Sequence, residues 1–118
     1  MMEREDFRAW APQRVDLLAV RGETISFNVE FVESVVELES AAFSCKKDYA
    51  DSEPVFRKTL SDGISRVDTN LYCVRIAPED TDIEAGRYVY DLFVGANDDN
   101  FAILTGDLLV RDSADERR

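Results

Sequence analysis

Histidine is absent from this 118-residue chain, cysteine occurs twice and lysine only at positions 46, 47 and 58. Without histidine no Ser-His or Cys-His pair can activate a nucleophile. A zinc site loses its usual nitrogen ligand too, and Cys45 and Cys73 belong to no CxxC pattern. Lys46, Lys47 and Lys58 lie in charge clusters at strand ends, not in the apolar settings that turn a lysine into a general base. There is no GxGxxG or GxxxxGK[ST] run to cradle a phosphate. No apolar stretch approaches the roughly 18 residues of a membrane-spanning helix. The opening Met-Met-Glu-Arg-Glu-Asp-Phe-Arg lacks the apolar segment of a secretion signal. These absences exclude most enzyme classes and predict residence in the cytoplasm of the producing cell, or departure from it within a larger particle.

Acidity dominates what is present. Twenty-five acidic residues outweigh 14 basic ones, for a net charge of −11, which opposes nonspecific attraction to nucleic acid or anionic membrane. Apolar residues make up 45% of the chain and charged residues 33%, so one globular core is expected. Glu79, Asp80, Asp82 and Glu84 crowd one loop, and Asp98, Asp99 and Asn100 another. Neither run has the ligand offsets of an EF-hand, so turn chemistry is expected over Ca²⁺, with Asp80 and Thr81 capping the first loop. Lys46-Lys47 and Arg57-Lys58 are expected to pair with Asp and Glu across strands, not to form an anion site. No catalytic residue, cofactor or metal is predicted.

Strand-like segments follow one another at short intervals. Val15 to Val20 reads as the first, stopped at Arg21-Gly22-Glu23. Thr24 to Phe31 alternates Ile25, Phe27, Val29 and Phe31 with polar residues, as a strand half-buried on a core does. Ser34 to Glu39 is undecided. Ala41 to Lys47 turns Phe43 and Cys45 inward, and Asp48 to Pro54 is loop by composition. Asp62-Gly63, between Val55–Leu60 and the following residues, is a hairpin signal. Asn70 to Ala77 buries Tyr72, Val74 and Ile76, with Cys73 on the opposite face beside Leu71 and Arg75. Strands at Arg87–Val94 and Phe101–Arg111 flank a turn at Gly95–Asn100. Gly106 marks a bulge or a close backbone approach. No helical period persists, beyond one turn at Ile83-Glu84-Ala85. The division is an arm over residues 1–12, a sandwich over 13–112 and a charged tail over 113–118. In the arm, Phe7 and Trp10 beside Arg4 and Arg8 are a candidate interface, folding back on the domain edge or docking on a neighbour.

The densest signal is Ala77-Pro-Glu-Asp-Thr-Asp-Ile-Glu-Ala-Gly86, leading into a strand that alternates Tyr88, Tyr90, Leu92 and Val94. A tyrosine two residues before the core position of a strand, after an acidic turn and glycine, is the grammar of a tyrosine corner. Gly86, Tyr88 and Tyr90 are its residues, with Tyr90 where antibody domains carry a disulfide cysteine. The predicted fold is an all-β, immunoglobulin-like β-sandwich of seven to nine antiparallel strands with a short N-terminal arm. Both cysteines are expected to be reduced thiols, Cys45 as a core filler.

These features have a recognisable order: Asp16-Leu-Leu-Ala-Val-Arg-Gly-Glu-Thr-Ile-Ser-Phe27, Phe43-Ser-Cys-Lys-Lys-Asp48, Asp62-Gly-Ile64, Ile76-Ala-Pro-Glu-Asp-Thr81, Gly86-Arg-Tyr-Val-Tyr-Asp-Leu92 and Leu104-Thr-Gly-Asp-Leu-Leu-Val110. The chain resembles the immunoglobulin-like domain of tailed-phage and prophage virion proteins. It is similar to the N-terminal domain of the baseplate upper protein of phages that infect Gram-positive bacteria. The resemblance covers roughly Val15 to Asp112 and is most specific at Glu79-Asp-Thr and Gly86-x-Tyr-x-Tyr-Asp. It implies a non-enzymatic structural or attachment module of the particle, with other phage structural proteins, or further copies of itself, as partners. The baseplate protein continues into long downstream segments where this chain stops at Arg118, so a small accessory or decoration protein fits equally. The alternative is a carbohydrate or host-surface binding module, for which Trp10, Tyr49 and Phe101 are the candidate aromatics.

Overall fold

The structure, a computed structural model, describes residues 12–31, 37–96 and 98–114. The strands are β1 Gln13–Arg14, β2 Leu17–Val20, β3 Ile25–Glu30, β4 Ser40–Lys46, β5 Phe56–Leu60, β6 Gly63–Asp68, β7 Leu71–Ile76, β8 Gly86–Ala96 and β9 Asp99–Arg111, with one short helix, α1 Pro78–Thr81. Period-two patterning forms them. β4 buries Ala41, Phe43 and Cys45, β7 buries Tyr72, Val74 and Ile76, and β8 buries Tyr88, Tyr90, Leu92 and Val94.

The strands form one continuous ladder, β9–β8–β4–β5–β6–β7–β3, with β1 and β2 both beside β9. The ladder curls at the β5–β6 crossing, so that β6, β7 and β3 form a back layer over a front layer of β9, β8, β4 and β5. Aromatic packing shows the closure. Phe43 of β4 stacks on Tyr90 at 4.7 Å and on Phe56 at 6.0 Å, and meets Phe27 of β3, the far end of the ladder, at 6.3 Å. Two facing layers in this strand order, with a tyrosine corner before β8, make the fold an immunoglobulin-like β-sandwich.

Several details differ from expectation, each for a local reason. The strands are not all antiparallel: β1 and β2 run parallel to β9, and β5 parallel to β6. The first strand is broken at Val15-Asp16, because those two residues bend to meet Gly106 and Asp107. Asp62-Gly63 does not close an antiparallel hairpin. Positive φ falls on Ser61 (69°) and Gly63 (100°), Thr59 pairs with Gly63 in parallel, and the chain crosses between layers. Strand β8 extends through Gly95 to Ala96 and β9 begins at Asp99, so the turn is tighter than Gly95–Asn100. The helical turn lies at Pro78–Thr81, not Ile83–Ala85, because Pro78 starts it and Asp80 caps it. Of the undecided segment, Glu37 to Glu39 is not strand; Leu38 is buried and donates its N–H to Tyr72 Oη at 2.9 Å. Among the described residues no helix is long and apolar enough to cross a membrane.

Candidate functional site

The corner holds the lower end of the sandwich together. Tyr88 Oη donates to the Glu84 carbonyl at 2.6 Å, and its ring is buried. Burial, with Glu84 nearby, raises the Tyr88 pKa. Asp80 accepts from the Ala77 N–H at 2.9 Å and pairs with Lys58 Nζ at 2.7 Å, both side chains being largely buried. Thr81, fully buried, donates to Glu23 O at 2.7 Å, while Arg21 reaches Asp82 at 3.1 Å. The corner is thus tied to the β2–β3 turn on one side and to β5 on the other. Lys47 lies 3.8 Å from Glu84. The lysines of the expected basic patch are therefore engaged with acidic partners or, for Lys46, with the Asp51 carbonyl at 2.7 Å.

Tyr90 secures the opposite edge. Its hydroxyl donates to the Val15 carbonyl at 2.6 Å, and burial pushes its pKa to about 12. Its partner across the ladder is Gly106, where a Cβ would collide with that same carbonyl oxygen. The missing side chain makes the space into which Val15 bends. Gly106 is therefore a close approach, and the β9 irregularity falls between Ala102 and Leu104 instead. Asp16 completes the junction by accepting the Asp107 N–H at 2.9 Å.

The outer face of the front layer carries the less expected chemistry. Opposite the buried tyrosines, β8 turns Arg87, Val89, Asp91 and Phe93 outward. Phe93 is 45% exposed and sits between Ala42 of β4 and Ala102 of β9. At the far end of the same face Leu109 of β9 and Leu18 of β2 are paired neighbours, 43% and 57% exposed. Between these ends Tyr49, from the loop after β4, reaches across β8 to Thr105 Oγ1 at 2.8 Å. Beneath it lies a recess of about 180 Å³ bounded by Ser44, Lys46, Val89 and Asp91. Burial raises the Asp91 pKa against the opposing pull of Lys46. Arg87 donates to Asp107 at 2.8 Å and Arg14 lies 3.3 Å from it; the Arg87 hydrogen bond lowers the Asp107 pKa.

The candidate interface residues Arg4, Phe7, Arg8 and Trp10 lie outside the described residues. Tyr49 and Phe101 are exposed but separated, Phe101 standing at the start of β9 opposite Val94. Cys45, on β4, is fully buried, and burial pushes its thiol to about 12; Cys73, on β7, is partly exposed and 3.4 Å from Ser26 Oγ. Both are free. Among the described residues no three acidic or cysteine side chains converge as a metal site. Phe93, Leu18 and Leu109 escaped the sequence reading, yet left a signal. Each interrupts an alternating strand to make an apolar run: Leu17-Leu18-Ala19-Val20, Leu92-Phe93-Val94 and Leu108-Leu109-Val110. Such runs mark strands apolar on both faces.

No protein-family model matches the chain, and no curated protein matches it. Among solved structures it is similar to the extracellular domain of the voltage-gated sodium channel beta4 subunit, described as a parallel homodimer with a role in cell–cell adhesion. That pair shares 20% identity over 87% of this chain and 95% of the other, at a TM-score of 0.46. A second similar structure is the natural killer cell receptor NKp44, with 13% identity over 85% and 98% of the two chains, at 0.44. Superpositions this loose carry nothing about function, and the sandwich is assigned from the strand order and the corner.

Proposed function

We propose that this chain is a non-enzymatic structural component of a tailed-phage or prophage particle, working through protein–protein contacts made by the outer face of its front layer. The observation that supports contact is the exposure of Phe93, Leu18 and Leu109 on one face built from paired strands. Apolar side chains exposed at both ends of one rigid face offer anchors for an interaction surface. The particle assignment rests on the resemblance at Glu79-Asp-Thr and Gly86-x-Tyr-x-Tyr-Asp. On this reading the protein is made in the host cytoplasm and resides in the assembled virion. The carbohydrate-binding alternative finds less support among the described residues, because Tyr49 and Phe101 stand apart and the Tyr49 hydroxyl is held by Thr105, while Trp10 lies outside them.

Quantitative mass spectrometry of particles induced from the producing cell tests the proposal. The chain should be present at a fixed ratio to the major tail proteins, and Phe93→Glu should deplete it. Its absence from particles, with saturable binding to a glycan array, would move the sugar-binding alternative ahead.

A further inference from the structure

We propose that two copies of this chain associate through the outer faces of their front layers, stacked antiparallel so that Phe93 of each meets Leu18 and Leu109 of the other. This deepens the docking reading by naming one partner. A twofold contact requires that if one position touches a second, the second touches the first. The face is suited to that. Its two apolar ends differ, an aromatic between two alanines and a leucine pair, and lie six β8 positions apart, since Leu109 pairs with Arg87. That spacing is roughly 20 Å along the strand. Turning one copy end for end places each apolar end on its unlike counterpart.

Charge favours a second copy as well. The chain carries −11, yet on this face Arg14, Lys46, Arg57 and Arg87 are set against Asp16, Asp91 and Asp107, so two such faces can meet without the repulsion of the whole chain's charge. The area allows a weak contact. β9, β8, β4 and β5 are 13, 11, 7 and 5 residues long, and with a rise of about 3.3 Å per residue and about 4.8 Å between strands they present roughly 570 Å², below the ~800 Å² per partner of a standard interface. A weak association, in the high-micromolar range, is expected.

Sedimentation equilibrium of the full chain from about 1 μM to about 1 mM tests this directly. The apparent mass should rise from 13.4 kDa toward twice that value. Phe93→Glu and Leu18→Glu should each raise the dissociation constant about tenfold or more. Val67→Glu, at a 59% exposed site on β6 in the back layer, should not change it. Unchanged circular dichroism and melting verify that each variant is folded; if one is not, the other and Leu109→Glu carry the test. A wild-type chain that stays monomeric throughout, or dimers untouched by all three face variants, overturns the proposal. A monomer whose Phe93→Glu form still loses its place in the particle would sink the second copy while leaving the docking reading intact.

Discussion

Tyr88 and Tyr90 stand two residues apart on β8 and tie it to opposite parts of the sandwich. Tyr88 bonds to Glu84 O in its own corner, Tyr90 to Val15 O in the break between β1 and β2. Tyr88→Phe removes one largely buried hydrogen bond and should cost about 1–2 kcal/mol in urea denaturation. Gly106→Ala forces a methyl against the Val15 backbone, which has no rotamer to yield. A loss of about 1–3 kcal/mol or more is expected from that overpacking, with weakened protection from exchange at the Asp107 amide. The ionisable core groups predict an alkaline limit. Cys45 moves from 9.0 to about 12 and Tyr90 from 10.0 to about 12, both chiefly through burial. Each is neutral when protonated, so above pH 9 the unfolded chain releases protons that the folded chain keeps. Stability is therefore unaffected by these groups below pH 9 and falls as pH rises toward 12. In Cys45→Ala, after its constant cavity cost, the decline should begin about one pH unit later, as followed by chemical denaturation across that range.

At the scale of elements, α1 is too short to hold its own shape by helical hydrogen bonding. It is held by Pro78 at its start, by Asp80 at the Ala77 N–H, by Thr81 on Glu23 and by the Lys58–Asp80 pair. Asp80→Ala removes a cap and strands a largely buried ammonium, and should cost about 2–4 kcal/mol. Lys58→Met leaves Asp80 its backbone donor and should cost less. The two changes should be non-additive by about 1 kcal/mol or more in a double-mutant cycle. Lys58 is on β5, beside the crossing that turns front layer into back, and its stem packs against Gly63. One ion pair thus links that crossing to the corner.

For the whole molecule, self-association must overcome repulsion between two chains of charge −11. The proposed face is nearly neutral and partly apolar, so salt screens the repulsion without dissolving the contact. Raising ionic strength from about 10 mM to about 150 mM should tighten the dimer in the sedimentation experiment. A contact made mainly by opposite charges would instead weaken.

The local pattern of the chain was enough to determine the number and order of most strands, the corner at Tyr88 and the inward positions of Phe43, Cys45, Val74 and Leu92. Alternation with period two and turn residues at fixed offsets are short-range properties, written in consecutive residues. Three matters were decided only in the tertiary structure. Asp62-Gly63 carries the residues of a hairpin, but β6 leaves β5 to pair with β7, because the back layer offers Ile64 burial against Val74. Val15-Asp16 breaks a strand because Gly106, 91 residues beyond Val15, makes no side chain to keep it out. The surface proposed for docking exists because β2, β8 and β9 set Leu18, Phe93 and Leu109 on a single side. Pairing register decides which distant residues share a face, and register follows from the energy of the whole core, which no single segment contains.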